Sequence, residues 1–164
     1  MKRIIATFFV LICLPVHAVA LSVDEIAARW GSVSNIQGTF TETYTDGSVG
    51  SGSFYVQNAS AMRLRYENGA VVTIANGKIR IKDPYGETAV HNLGAFQNLF
   101  NTNPNLGSIV SGSGQNRNFT TVRITDPQSR VSGHVDVTFD NRSGRIVRWR
   151  NRTNGENITT NFNY

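Results

Sequence analysis

Catalysis needs side chains that attack, trade protons or coordinate a metal, held within mutual reach, and this sequence is sparing with them. Its histidines are His17, His91 and His134, and its single cysteine is Cys13. His91 and His134 have no metal-type spacing to each other and no carboxylate pair beside them. His134 and Asp136 lie two residues apart, so on a strand they share a face; a solvated polar edge accounts for the pair as well as a proton relay does. Serines are plentiful but sit in turns such as Ser111-Gly112-Ser113-Gly114, without the strand-to-helix elbow of a nucleophilic serine. Gly112-Ser113-Gly114 also lacks the Lys-Ser/Thr ending of a phosphate loop, so it reads as a flexible connection. The expectation is a protein that binds rather than catalyses, with no metal and no cofactor.

The compartment follows from the first residues. Lys2 and Arg3 precede an apolar run over 4–15, and Val16-His17-Ala18-Val19-Ala20 supplies small residues for a signal peptidase. The run is too short to span a bilayer. Cleavage after Ala18 or after Ala20 satisfies the small-x-small rule, which places a signal peptide over 1–20 and one domain over 21–164, in the periplasm. Cys13 raises the alternative of a lipid-anchored precursor, yet Val10-Leu11-Ile12 is bulkier than that processing favours. Otherwise Cys13 is discarded, and no thiol or disulfide remains. Lys2 and Arg3 are two of the 16 basic residues, so 14 remain against 11 acidic ones, a net charge of +3. That is too mild to indicate a nucleic-acid partner.

Positioning elements are legible from capping and periodicity. Ser22-Val23-Asp24-Glu25 is a capping box that opens a helix running to about Trp30, with Ile26 and Trp30 on its buried face. The period then drops to two, and strands are expected over 38–44, 52–57, 62–66, 71–75, 78–82, 119–125, 134–139, 145–152 and 157–163. Asp46-Gly47, Asn68-Gly69, Asn76-Gly77 and Asn154-Gly155 mark turns between them. Leu93, Phe96 and Phe100 recur at helical spacing and predict a short amphipathic helix over 93–100; residues 101–118 are read as a long loop. Tight turns between sequential strands exclude a parallel α/β sheet. The fold class is α+β, mainly antiparallel β: one large curved sheet with short helices.

Alternation sorts the faces. Met62, Leu64 and Tyr66 point one way, Arg63 and Arg65 the other; Val137 and Phe139 share a face, as do Arg148, Arg150 and Arg152. The arginine stripe is either a solvated outer face or a dock for an acidic partner or anionic lipid surface. The apolar positions Trp30, Phe40, Met62, Leu64, Tyr66, Phe96, Phe100, Val137 and Phe139 form a candidate ligand-binding set. Periodicity alone leaves two accounts equal: a hollow beneath Trp30 and Phe96, or an ordinary filled core.

The order of these motifs resembles a known family. Ile36-Gln37-Gly38-Thr39-Phe40-Thr41-Glu42-Thr43, Gly52-Ser53-Phe54-Tyr55-Val56, Met62-Arg63-Leu64-Arg65-Tyr66, Ile74-Ala75-Asn76-Gly77-Lys78 and Asp83-Pro84-Tyr85 are similar to the outer-membrane lipoprotein carriers of LolA type. Val137-Thr138-Phe139-Asp140, Ile146-Val147-Arg148-Trp149 and Asn154-Gly155-Glu156-Asn157-Ile158-Thr159 resemble the closing strands of that family. The resemblance implies a curved half-open β-barrel covered by short lid helices, with the acyl chains of a lipoprotein held between sheet and lid. It implies as partners acylated lipoproteins, an inner-membrane ATP-driven release complex and an outer-membrane receptor. Where the family has Arg-Pro, whose arginine fastens the lid, this chain has Asn58-Ala59. Arg63 and Arg65 are the candidate lid contacts in its place. The sequence ends at Tyr164, short of the family's usual final segment, and so reads as a minimal or specialised carrier.

Overall fold

Ser22 opens the helix in the way its sequence requires. In the computed structural model, which describes residues 21–107, 109–126 and 133–164, the Ser22 hydroxyl accepts from the Glu25 amide and the Glu25 carboxylate accepts from the Ser22 amide. This reciprocal cap satisfies two amides that the first turn leaves without partners, and α1 runs over Val23–Gly31. Ile26, Ala27 and Trp30 form its buried stripe. The expected signal peptide, its cleavage positions and Cys13 lie outside the described residues.

Eleven strands follow: β1 (Ile36–Thr43), β2 (Val49–Gln57), β3 (Ala61–Tyr66), β4 (Val71–Ala75), β5 (Lys78–Lys82), β6 (Thr88–Asn92), β7 (Val110–Gln115), β8 (Phe119–Ile124), β9 (Gly133–Asp140), β10 (Ile146–Thr153) and β11 (Glu156–Asn163). They form one antiparallel sheet in the order β6-β5-β4-β3-β2-β1-β11-β10-β9-β8-β7. Each half is a meander, and the two join where Phe40 of β1 lies opposite Phe162 of β11. The sheet is not closed: β6 and β7 are its two edges.

That order has a consequence for the connection between the edges. β6 and β7 are successive in sequence yet lie at opposite ends of the sheet, so residues 93–109 must cross its whole width. Eleven flat strands at about 4.8 Å would separate the edges by roughly 48 Å. The crossing includes a 3-10 helix, Gly94–Leu99, rising about 2 Å per residue, and would reach roughly 50 Å only if the rest were taut. It is not taut, because it folds Leu93, Leu99, Phe100, Leu106 and Ile109 into the core. The sheet must therefore curl, and its concave face is the one the crossing and α1 cover.

Two glycines let the central strands bend inward. A Cβ at Gly38 would lie 2.8 Å from the Phe54 ring and 2.1 Å from the Asn163 carbonyl, and one at Gly52 would lie 2.0 Å from the Arg65 carbonyl and 2.9 Å from the Phe40 ring. In each case an aromatic side chain covers the space that a side chain on glycine would claim.

Three local expectations change. The segment 93–100 is a 3-10 helix over Gly94–Leu99 rather than an amphipathic α-helix; Leu93 offers it no side-chain cap and Gly94 sits at φ +58°, so about two tight 3-10 turns form instead. The expected loop over 101–118 contains β7, and β6 was not anticipated. Both are edge strands, β7 with Gly112 and Gly114, and β6 exposed along its entire length. Pairing with β5 and β8, not a hydrophobic pattern, makes them strands.

Candidate ligand-binding site

The lid consists of α1 and the crossing segment, and the two meet at Trp30. Its side chain is completely buried, and the indole N–H donates to the Leu99 carbonyl at 2.7 Å, which fastens α1 to the end of the 3-10 helix. Below, the Trp30 ring meets Phe139 of β9 edge-on at 6.3 Å. Phe100 stacks on Trp149 of β10 at 5.9 Å. The remaining polar ties are peripheral. Arg29 donates to the Asn141 and Arg142 carbonyls at 2.9 and 3.3 Å, the Ala95 amide donates to Asp126, and the Leu93 amide donates to the Gly77 carbonyl.

The sheet side of the site is almost wholly apolar. Phe40, Met62, Leu64, Val137 and Phe139 are buried and belong with Trp30 and Phe100 to one core cluster, against which Tyr66 and Phe96 pack half-buried. All nine predicted residues therefore belong to, or pack against, one core cluster. Five surface clefts of about 360 to 620 Å³ are each lined by other residues. Trp30 and the two residues it touches, Leu99 and Phe139, are all at zero exposure.

Arg63 and Arg65 do not reach the lid. Both are exposed on the outer face of β3, because Met62 and Leu64, their alternating neighbours, take the inner one. The expected lid contact at these positions is thereby corrected. Asn58 and Ala59 form the β2–β3 turn at φ +47° and +54°.

One polar group on the inner face escaped the sequence reading. Glu42, two residues after Phe40 on β1, is buried. Its carboxylate accepts from Tyr44 at 2.9 Å, Tyr66 at 2.8 Å and Thr160 at 2.6 Å. These hydroxyls replace the water a buried carboxylate loses. Burial, aided by the Glu42 charge, pushes the Tyr44 phenol up to about 12 and raises that of Tyr66 further. Tyr66 also meets Phe40 edge-on at 4.9 Å, so the apolar lining ends in a fixed polar rim. The alternation that points Phe40 inward also points Glu42 inward, and that signal was available in the sequence.

Among the described residues no group of three or more His, Cys, Asp or Glu could hold a metal ion. His134 Nε2 stands 3.6 Å from Asp136, too far for a hydrogen bond. Asp136 is instead engaged by Arg123 through contacts of 2.7 and 3.0 Å. The Arg123 guanidinium holds its carboxyl below the usual carboxylate range.

No protein-family model matches this chain, and no curated protein matches it. Solved structures do. A chain of the Pseudomonas aeruginosa MucA/MucB complex is similar at 18% identity over 84% of this chain and 53% of that one, with a TM-score of 0.43. The LolA superfamily protein NE2245 from Nitrosomonas europaea is similar at 8% identity over 88% of this chain and 93% of that one, with a TM-score of 0.44. An uncharacterized conserved protein from Thermus thermophilus is similar at 8% identity over 85% of this chain and 86% of that one, with a TM-score of 0.45. This chain spans about half the length of the MucA/MucB-complex chain it matches.

Proposed function

We propose that the protein is a periplasmic carrier that takes the acyl chains of lipoproteins between its curved sheet and its lid and shuttles them from the inner to the outer membrane. The observation that supports this most is the edge-to-edge crossing of residues 93–109. A segment spanning the open face of the sheet, fastened to α1 by the buried Trp30–Leu99 bond, held at its start by the Leu93–Gly77 and Ala95–Asp126 bonds and resting on apolar side chains between, is a cover that opens by parting from α1. Lifting it would uncover Phe40, Met62, Leu64, Tyr66, Val137 and Phe139 on the sheet and Trp30, Phe96 and Phe100 on the lid. Each methylene then buried contributes about 0.8 kcal/mol, enough for a long acyl chain to replace lid-to-sheet contacts. Delivery needs reversibility, which a hinged cover provides. The partners under this proposal are acylated lipoproteins, an ATP-driven release complex at the inner membrane and a receptor at the outer membrane.

A second reading has a specific observation behind it. Trp30, Leu99 and Phe139 are wholly shielded from solvent, which suits a non-catalytic interaction protein that carries no guest. Titration of the purified protein with an environment-sensitive apolar dye decides between them. The carrier binds the dye and releases it to a triacylated peptide. A protein that leaves the dye dark at every concentration is the interaction module. A dye displaced by other amphiphiles but not by the triacylated peptide assigns the same site to a different cargo.

A further inference from the structure

We propose that the outer face of β3–β5 docks on an anionic phospholipid surface. This goes beyond the carrier reading and holds whatever occupies the space under the lid. Arg63 and Arg65 on β3 and Lys78, Arg80 and Lys82 on β5 are all exposed. Strand register places them on one face: Arg63 lies opposite Thr73, which lies opposite Arg80, while Arg65 lies opposite Val71, which lies opposite Lys82. Lys78 joins them through Ala75. The cations therefore form a lattice spaced about 7 Å along each strand and about 10 Å from β3 to β5.

Among the described residues no cation of this lattice is held in an ion pair. The outward residues between and beside the cations are Ser53, Tyr55, Val71, Thr73 and Ala75. The neighbouring carboxylates Glu67, Asp83 and Glu87 lie in turns at the ends of the strands, and Asp83 is occupied by the Tyr85 and Glu87 amides. The Arg123–Asp136 ion pair lies on the other half of the sheet. That half also carries Arg148, Arg150 and Arg152, but there Arg148 donates to Asn161 and Arg150 lies opposite Asp136.

Apolar groups among the cations select the kind of anionic partner. Tyr55, opposite Arg63, is 41% exposed, Val90, opposite Arg80, is 49% exposed, and Tyr85 at the tip of the β5–β6 hairpin is 93% exposed. Tyrosine and aliphatic groups interspersed with Lys and Arg suit the headgroup region of a bilayer, where rings enter the interface and cations meet phosphates. Two shallow clefts of about 580 and 600 Å³ share Arg63, one with Arg65 and the other with Lys78 and Arg80. They offer room for lipid phosphates between the guanidinium and ammonium groups. An extended acidic peptide would follow one strand, whereas charges spread in two dimensions match a surface.

Vesicle co-sedimentation of the purified protein tests the proposal. It should partition onto phosphatidylglycerol-containing vesicles and not onto pure phosphatidylcholine, and should be released when salt shortens the screening length. Each removed cation should weaken partitioning roughly fivefold, so the triple variant Arg63→Gln/Arg65→Gln/Arg80→Gln should lose about a hundredfold. The pair Lys78→Gln/Lys82→Gln should lose about twentyfold, with circular dichroism unchanged in both variants. Arg148→Gln/Arg150→Gln/Arg152→Gln removes the same charge from the other half and should lose less than about tenfold. Equal loss in the two triples, or equal binding to the two vesicle types, overturns the assignment.

Discussion

Replacing Trp30 by phenylalanine separates a lid from a core. The substitution keeps an aromatic ring against Phe139 but removes the indole donor that holds the Leu99 carbonyl at 2.7 Å. Losing a buried hydrogen bond while its partner stays buried costs about 1–3 kcal/mol. Because this bond joins α1 to the crossing segment, it is broken when the crossing segment parts from α1, and the cost of losing it then falls on the shut form alone. If the lid opens by parting the crossing segment from α1, the shut-to-lifted equilibrium moves roughly 5- to 150-fold toward the lifted form. Apparent affinity for an apolar guest scales with the fraction of molecules able to receive it, so binding of an environment-sensitive dye should tighten by a comparable factor. The denaturant midpoint should fall at the same time. A weaker fold with a tighter dye site is the expected signature of Trp30→Phe. If stability falls while dye affinity stays constant or drops, Trp30 is an ordinary core residue and the lid argument fails.

Glu42→Gln should destabilise the protein by about 1.5–3 kcal/mol in urea titration, because Tyr44, Tyr66 and Thr160 lose a charged acceptor. Stability should also fall in alkali. Unfolded tyrosines ionise near pH 10, whereas folded Tyr44 holds its proton to about 12 and Tyr66 beyond that. The unfolded chain thus releases protons first, and the stabilisation, complete below about pH 10, is lost as pH rises through the folded values. The urea midpoint measured from about pH 9 to 12 should fall less steeply in Tyr66→Phe. Gly52→Ala would drive a Cβ to 2.0 Å from the Arg65 carbonyl and should cost about 1–3 kcal/mol in thermal unfolding. A neutral result there would mean that the close approach of β2 and β3 is not needed for the curl.

The residues that announced themselves were those whose local pattern and tertiary role agree. β4 and β5 fall on the expected residues, because Asn68-Gly69 and Asn76-Gly77 punctuate them and β-branched or alternating residues fill them. The Ser22–Glu25 cap set the start of α1 for a similarly local reason. β6 and β7 were hidden because an edge strand owes its existence to its neighbour; neither carries an apolar face that alternation could reveal. The nine apolar site residues were legible as inward positions, but whether they enclose space depends on the lid, which covers the sheet only because 93–109 must travel from edge to edge. Alternation had also set Arg63 and Arg65 apart from the inner face, so expecting them at the lid followed the family comparison against the local pattern. Their association with Lys78, Arg80 and Lys82 needed the register across β4, which no single stretch of sequence contains.

Lifting of the lid is the central claim, and a distance measurement tests it most directly. Spin labels at exposed Gln97 on the crossing segment and exposed Thr41 on the outer face of β1, introduced as cysteines in a Cys13→Ser background, report the separation of lid and sheet. Adding a triacylated peptide should convert the short-distance population into a longer one, in proportion to the peptide bound. A distance distribution that stays unchanged at saturating peptide contradicts the carrier account.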